Sequence, residues 1–286
     1  MPPHHIRCRH VNIRAILQNA MKNRLFDVIL LCVFVLSSCS IKEDRTCCPV
    51  YVNMNYDVVI AGGKYENSLV GASDGSPGIM THIDLLKYEG RGFEVACKRG
   101  VIRLASAFGY ESFSWKGDTL IMAKGTECSP LFAWAEKVIA EGDLYYTEVS
   151  PHKQYSVMNI IVVGLLPGED FTYDIRVKAN CNALKLYELS PVEGTYTVVA
   201  KHKNASGYEV RIPRQLRNEI VLELLDPSQD SNVPVSVIDV GKALESKGFD
   251  WEKTDLDDMN VVVDFTRMQA FVEVVDWNSA KIEITI

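Results

Sequence analysis

The sequence predicts an all-β protein in which two tandem β-sandwich domains follow a lipoprotein signal peptide. Apolar and polar residues alternate with period two along most of the chain after residue 49. This alternation is typical of antiparallel sheets that have one buried and one solvated face. Turn-forming residues separate the alternating segments at intervals of roughly 8–12 residues, a spacing that favours sandwiches over a parallel sheet.

The N-terminal segment has the three parts of a secretory signal. Lys22 and Arg24 precede the apolar run 28–36, and the small residues Ser37 and Ser38 follow it. The run is much shorter than the roughly 20 residues that a membrane-spanning helix needs. A buried core helix would explain neither the basic residues before the run nor the small residues after it, so we predict a signal peptide.

A cysteine directly after these small residues is typical of bacterial lipoproteins. We predict that residues 1–38 are the signal peptide, that cleavage follows Ser38, and that Cys39 carries the lipid. Met21 is an alternative start, because an ordinary basic segment begins there. One acyl chain holds a protein only marginally, and two or more hold it stably.

Residues 39–49 are predicted to form a lipidated tether. The sequence Lys42-Glu43-Asp44 within it is similar to the surface-export signal of Bacteroidetes lipoproteins. The alternative interpretation is a solvated tether whose charges carry no signal. With export, the protein lies on the outer membrane and faces outward from the cell.

The charge balance argues against nucleic acid as a partner. The chain has 286 residues, with 37 acidic and 30 basic side chains and a formal net charge of −7. The acidic excess grows once residues 1–38 are removed, because five of the six charged residues in that segment are basic. Phosphate binding requires clustered Lys and Arg, so an acidic excess of this size argues against it.

Five cysteines remain besides those of the signal peptide and the lipid site: Cys47, Cys48, Cys97, Cys128 and Cys181. No pair has the Cys-x-x-Cys spacing of a zinc or redox site, and an odd number cannot form a closed disulfide framework. Isolated cysteines in strand-like segments are usually small buried apolar residues. The alternative is one disulfide from the adjacent pair to either of the next two cysteines.

The clearest alternating segments are 50–60, 171–179 and 282–286. Weaker strand candidates lie at 79–87, 93–98, 101–107, 118–123, 144–149, 155–163, 195–202, 208–212, 219–225, 259–266 and 270–276. Loop sequences rich in Gly, Pro and Asp separate them, for example at 74–78, 167–170 and 226–228.

Two domains are predicted, an N-terminal sandwich over 50–150 and a C-terminal sandwich over 151–286, with Ser150-Pro151 as the joint. Helix is scarce. The segment 131–139 fits either a helical turn or a strand.

The best helix candidate is 240–247. Asp239 is its predicted N-cap, and Gly248 lies just past its end.

The sequence contains no motif for catalysis. His82, His152 and His202 are far apart and have no carboxylate at motif spacing. The chain lacks a Gly-x-Ser-x-Gly elbow, a phosphate-binding loop and a His-Glu-x-x-His zinc helix. We therefore predict a protein that is not an enzyme, with no catalytic residues and no cofactor.

The nearest approach to a metal site is an acidic stretch near the C-terminus. It comprises Asp250, Glu252, Asp255, Asp257 and Asp258. An EF-hand loop that began at the first of these would need Gly at its sixth position and Glu at its twelfth, and it has neither. A solvated acidic loop is therefore the prediction, and no metal ligand is assigned.

Exposed aromatic residues could form a platform for glycans. The four tryptophans, Trp115, Trp134, Trp251 and Trp277, are spread over both halves of the chain. Aromatic residues also dominate ordinary cores, and without a cluster we favour that role.

The order of these parts resembles the fimbrillin-associated anchor lipoproteins of Bacteroidales, the FimB-type family. The lipid cysteine, the acidic tether and the step Cys48-Pro49 lead into the first strand. The segments 130–134 and 151–155 are similar to those that join the two domains in related fimbria-associated lipoproteins. At the C-terminus a helix, an acidic loop and three strands follow in the family order.

The resemblance implies two transthyretin-like or Ig-like sandwiches on a lipid foot, and fimbrial subunits as partners. Such proteins anchor or initiate a fimbria at the outer membrane, and fimbrillins assemble by strand exchange, a form of β-augmentation. On this basis the strand 280–286 is a hypothetical docking or donor element. The alternative is that this strand closes its own sandwich.

Two other functions stay open. One is a glycan-binding surface lipoprotein that works beside a nutrient importer, and the other is an adhesin at the fimbrial tip. A glycan binder should expose two or three aromatic residues on one face, whereas an anchor should have an available strand edge.

Overall fold

The computed structural model describes residues 47–75, 78–166, 171–204, 206–229 and 233–276. The strands in chain order are β1 (Val50–Asn55), β2 (Asn67–Ser73), β3 (Ile79–Asp84), β4 (Phe93–Cys97), β5 (Gly100–Phe108), β6 (Phe113–Lys116), β7 (Thr119–Met122), β8 (Phe132–Ala140), β9 (Leu144–Glu148), β10 (His152–Lys153), β11 (Tyr155–Val163), β12 (Asp174–Lys185), β13 (Ser190–Val199), β14 (Lys201–Asn204), β15 (Gly207–Pro213), β16 (Val221–Leu225), β17 (Ser236–Asp239), β18 (Asp258–Asp264) and β19 (Gln269–Val275). Two short helices, α1 (Asp57–Ala61) and α2 (Gly241–Ser246), and a 3-10 helix (Leu85–Tyr88) interrupt them.

The predicted all-β fold is confirmed, and β11 coincides with the predicted strand 155–163. The predicted strand 50–60 is wrong in its second half, because β1 ends at Asn55. There the backbone N–H of Asp57 donates to Asn55 Oδ1 (2.7 Å), a local turn that starts α1. The ambiguous segment 131–139 forms a strand, β8.

Alternation does not reveal strands that are buried on both faces. β2 is buried at five consecutive positions, Ser68 to Ala72, so its sequence lacks a polar face. The short strands β6, β10 and β17 also lie outside the predicted segments.

The predicted helix is confirmed in a shorter form. Asp239 Oδ1 accepts a hydrogen bond from the Gly241 N–H (2.9 Å), and the N-cap position itself is Val240. Gly248 ends the helix with φ +72°, a conformation that suits glycine. The N–H groups of Gly248 and Phe249 donate back to the last helical turn.

The strands form four sheets. Sheet A has the order β4-β1-β9 and sheet B the order β10-β8-β5-β2-β3. Sheet C has the order β17-β16-β12-β7-β6, with β13 on the other edge of β12, and sheet D has the order β14-β15-β11-β18-β19. Most neighbours are antiparallel, but β1 pairs with β9 and β11 with β18 in parallel.

The sheets pack around two apolar cores. Sheets A and B share the first core, in which Val52, Met54, Ile102 and Phe108 are fully buried. Sheets C and D share the second core. Burial of this kind stabilises a fold by roughly 25 cal/mol per Å² of apolar surface.

Sheet B also contributes to the second core. Leu69, Ala105 and Ala107 point to its second face and belong to that core. The hairpin β6–β7 joins sheet C, where β7 pairs with the end of β12. This hairpin thus precedes residue 150 in the chain but belongs to a sheet of the second core. The domain boundary at residue 150 stays a prediction. Within the described ranges, no helix has both the length and the apolar character that crossing a membrane requires.

Candidate functional site

The two outer strands of sheet D differ in chemistry. All four residues of β14 are exposed, and its lysines pair with acids, Lys201 with Glu127 and Lys203 with Glu209. Charges of this kind discourage another strand from pairing with an edge. The opposite outer strand, β19, pairs only with β18 in the described part of the chain, and its Phe271 is 54% exposed. β19 is therefore the candidate docking edge.

β19 is positioned by the parallel pairing of β18 with β11. The register runs from Met158 opposite Met259 to Val163 opposite Asp264. Val272 of β19 is buried and Val274 packs against the second core, so one face of β19 belongs to sheet D's interior. The candidate docking edge is thus part of a packed sheet.

A buried lysine fixes the start of β18. The Lys153 side chain is 3% exposed, and its Nζ donates to Asp258 Oδ1 (2.6 Å) and to the Leu256 carbonyl (2.9 Å). The same carboxylate oxygen accepts from the Val157 N–H (2.7 Å). A buried cation requires such partners, and these bonds join β18 to the segment before β11.

A buried arginine fixes the acidic loop that precedes β18. Arg214 Nε donates to Gln154 Oε1 (2.8 Å), and its Nη atoms donate to the carbonyls of Trp251, Lys253 and Thr254. Burial lowers the pKa of the Arg214 guanidinium to about 10, so it stays charged at neutral pH.

The acidic stretch is engaged in contacts within the protein. Asp255 accepts from the Lys153 N–H (2.7 Å) and lies 3.2 Å from His152 Nδ1, and Asp257 pairs with Lys253 (2.7 Å). No group of three His, Cys, Asp or Glu residues that could hold a metal ion occurs within the described ranges. The arrangement of these carboxylates serves to hold a loop.

The cysteines fall into two classes. Cys47 and Cys48 are exposed, whereas Cys97, Cys128 and Cys181 are buried, and all five are free thiols. Burial raises the pKa of each of the three buried thiols. This matches the prediction of small buried apolar residues for those three.

The tryptophans do not form a common platform in the described part of the chain. Trp134 and Trp251 are core residues, and Trp277 lies outside the described residues. Trp115 is 40% exposed and meets the ring of His82 edge-on at 4.5 Å between centroids. His82, His152 and His202 lie on three different strands, β3, β10 and β14.

Two exposed tyrosines that were not singled out from the sequence share the outer face of sheet A. Tyr51 of β1 is 45% exposed and Tyr146 of β9 is 70% exposed. The alternation along 50–55 indicates on which face Tyr51 lies. The pairing of β1 with the distant β9, which brings Tyr146 beside Asn53, has no local signal in the sequence.

An open groove of about 660 Å³ lies between the loop after β7 and the strands β13 to β15. Glu127 lies in it and accepts from the Arg211 N–H (3.2 Å), and its carboxylate pairs with both Arg211 and Lys201. Glu127 thus bridges two cations, and these three side chains together carry one net positive charge.

The predicted lipid and export residues lie outside the described residues. These are Cys39 with its cleavage point Ser38, and Lys42, Glu43 and Asp44. The predicted strand 280–286 also lies outside them.

The fold is similar to that of several solved Bacteroidales proteins. The fimbrial anchor protein Mfa2 from Porphyromonas gingivalis superposes with a TM-score of 0.54 at 12% identity, over 80% of this chain and 98% of that one. A candidate adhesin from Bacteroides ovatus gives 0.54 at 11% identity, over 81% and 94%. A candidate polysaccharide-binding protein from Bacteroides thetaiotaomicron gives 0.53 at 10% identity, over 82% and 99%.

No protein-family model and no curated protein sequence matches the chain. At identities this low the likeness concerns the fold. The chain therefore has the fold of these Bacteroidales proteins, a fimbrial anchor among them, and its resemblance to fimbria-associated proteins is confirmed at the level of fold.

Proposed function

We propose that this protein is a non-enzymatic surface lipoprotein that anchors or initiates a fimbria at the bacterial outer membrane. The observation that carries the proposal is a fold match over 98% of a fimbrial anchor protein, in a chain for which the sequence predicts a lipoprotein signal over residues 1–38. The partners are fimbrial subunits on one side and the membrane on the other.

The membrane side of the proposal depends on Cys39. Lipid on this cysteine would hold the protein, and Lys42-Glu43-Asp44 would direct it to the cell surface. An extended tether over 39–49 spans at most roughly 35–40 Å. The first strand, β1, would therefore stay close to the membrane and the rest of the protein would extend from it.

The fimbrial side of the proposal is strand addition at the β19 edge. Main-chain hydrogen bonds along an open edge give affinity, and alternating side chains give specificity. The predicted strand 280–286 has two mutually exclusive roles in this proposal. It either pairs with a partner's sheet as a donor, or it folds back on β19 and closes the edge.

Metabolic labelling with a palmitate analogue tests the membrane side. We expect the wild-type chain and the Cys48→Ser variant to be labelled and the Cys39→Ser variant to be unlabelled. Cys48 is the matched control, because it is a nearby exposed thiol outside the predicted lipid site. Labelling that persists in Cys39→Ser would contradict a lipid at this position.

Co-purification of fimbrial subunits with the protein tests the strand contact. Phe271→Lys places a charge on the outer strand, and we expect it to reduce the amount of bound subunit without unfolding the protein. Lys203→Ala on the opposite edge is the control and should bind as the wild type does. Equal binding by both variants would place the contact elsewhere.

A further inference from the structure

We propose that a concavity on the outer face of sheet A binds a neutral sugar residue of a glycan. We call this concavity the sheet A bowl. It measures about 360 Å³, and Asn53, Asn55, Arg91, Tyr146 and Glu148 line it. This volume lies at the lower end of the range for small-ligand sites. The proposal is independent of lipid anchoring and of the β19 edge.

The register of sheet A builds the bowl. Val52 and Met54 point into the first core, so Asn53 and Asn55 between them point outward. The parallel pairing with β9 places Tyr146 beside Asn53 and Glu148 beside Asn55. Two amides therefore form the floor, and the side chains of β9 form one wall.

The opposite wall is a loop that the fold holds in place. The Asn53 Nδ2 donates to the Arg91 carbonyl (2.9 Å), and the Gly90 N–H donates to Asp57 Oδ1 (2.8 Å). Gly92 has φ +69°, and a Cβ there would collide with the Asn53 side chain, so only glycine allows this approach. The wall is thus preorganised around the floor.

The Arg91 side chain is also held. Its Nε donates to the Lys87 carbonyl (2.6 Å), and its guanidinium lies 5.3 Å from the centre of the Tyr88 ring. Arginine in a fixed orientation presents its remaining N–H groups in a planar fork that suits paired oxygen acceptors.

The charges of the bowl select a neutral ligand. Arg91 lines one wall and Glu148 the other. An anionic ligand would meet the carboxylate and a cationic ligand would meet the guanidinium, so each would lose much of the attraction that the other charge supplies. A purely apolar ligand would strip water from Asn53, Arg91 and Glu148 without replacing their hydrogen bonds.

A sugar ring satisfies these conditions together. Its hydroxyl groups donate and accept, which suits an amide floor, an arginine that only donates and a carboxylate that only accepts. Its C–H face is apolar and can lie against an aromatic ring. Tyr146 is 70% exposed on the wall and provides that ring. Tyr51, on the same face, offers a second contact for a neighbouring sugar unit.

Binding to immobilised neutral oligosaccharides tests this proposal. The probes are chains of glucose, galactose, mannose and N-acetylglucosamine units, and the full chain is purified in a detergent without a sugar headgroup. We expect the wild type to bind at least one of them and Tyr146→Ala to bind it about tenfold more weakly, because the stacking surface is lost. Tyr146→Phe keeps the ring and should keep most of the affinity.

Trp115→Ala is the matched control, because it removes an exposed aromatic residue that does not line the bowl and should bind as the wild type does. Circular dichroism of each variant verifies its fold. The proposal is overturned if no neutral probe binds the wild type or if only anionic polysaccharides or peptides bind it. It is also overturned if Tyr146→Ala binds as well as the wild type.

Discussion

The two outer strands of sheet D, β14 and β19, differ in the side chains that they carry at the edge of the sheet. Each has a row of backbone groups without a neighbouring strand among the described residues. β14 carries exposed lysines that pair with Glu127 and Glu209. β19 presents Phe271 to solvent and Val272 to the core. The comparison teaches that charged side chains protect one edge against pairing, whereas the other edge lacks this protection at Phe271 and is the one we propose as the docking edge.

The support beneath the two strands differs as well. β14 pairs in antiparallel fashion with β15, which follows it closely in the sequence, so local contacts position it. β19 depends on β18, and β18 depends on Lys153 and Arg214, which come from distant parts of the chain. Single substitutions can remove long-range polar contacts of this kind. Such substitutions should therefore affect β19 more than β14.

The largest expected effect is that of Arg214→Met. This change leaves four acceptors near the acidic loop without their donor, and removal of one partner from such a buried network costs about 3–5 kcal/mol. Chemical denaturation measures the free energy of unfolding, and hydrogen exchange should show earlier opening in β18 and β19 than in β14 and β15. Arg217→Met removes an exposed arginine and should change stability by less than about 0.5 kcal/mol. Equal effects of the two variants would contradict the role of the buried guanidinium.

A smaller effect separates the two faces of β19. Val272→Ala should destabilise the protein by about 1–3 kcal/mol, because it leaves a gap in the second core. Phe271→Ala on the exposed face should cost less than about 0.5 kcal/mol. The same denaturation measurement compares them. If Phe271→Ala were the more costly change, the exposed face of β19 would be packed and unavailable to a partner.

The smallest effect is acid loosening of the turn between β18 and β19. Asp264 Oδ1 accepts from the Thr266 hydroxyl (2.7 Å) and from the N–H groups of Thr266 and Arg267, and these bonds lower the pKa of the carboxyl. The pKa of Asp264 in the folded protein lies below its unfolded value of about 4. These bonds therefore stabilise the turn fully when the pH is above that unfolded value. This stabilisation is lost as the pH falls through the lower folded value.

The corresponding turn after β14 should not respond to acid in this way. There Asn204 Oδ1 accepts from the Ser206 N–H (3.2 Å), and an amide does not titrate in this range. NMR spectra recorded between about pH 6 and pH 2.5 should show loosening at Thr266 before any change at Ser206. Asp264→Asn should remove the difference, and simultaneous loosening of both turns in the wild type would contradict the assignment.

The period-two alternation predicted most strands but not the sheets and sites that these strands form together. The alternation at 155–163 reports one buried face and one wet face, and β11 follows it. The alternation did not predict β2, because both faces of this strand are buried. The end of β1 was missed because a local turn at Asn55 overrides an apolar pattern that continues to residue 60.

The candidate sites depend on pairings between distant residues. The bond from Lys153 to Asp258 joins residues 105 positions apart, and the sheet A bowl requires β1 to pair with β9. No local pattern specifies such pairings, because they depend on how whole sheets pack. The sequence therefore suffices to predict a lipid site at Cys39, but it could not locate the candidate docking edge or the bowl.

The most direct test of the anchoring proposal is electron microscopy of fimbriae in a deletion strain that carries the gene back on a plasmid. The account predicts normal cell-bound fimbriae with the wild type and with Cys48→Ser. It predicts fimbriae that are absent from the cells or shed into the medium with Cys39→Ser and with the empty plasmid. Cell-bound fimbriae of normal number and length in the strain with the empty plasmid would contradict the account.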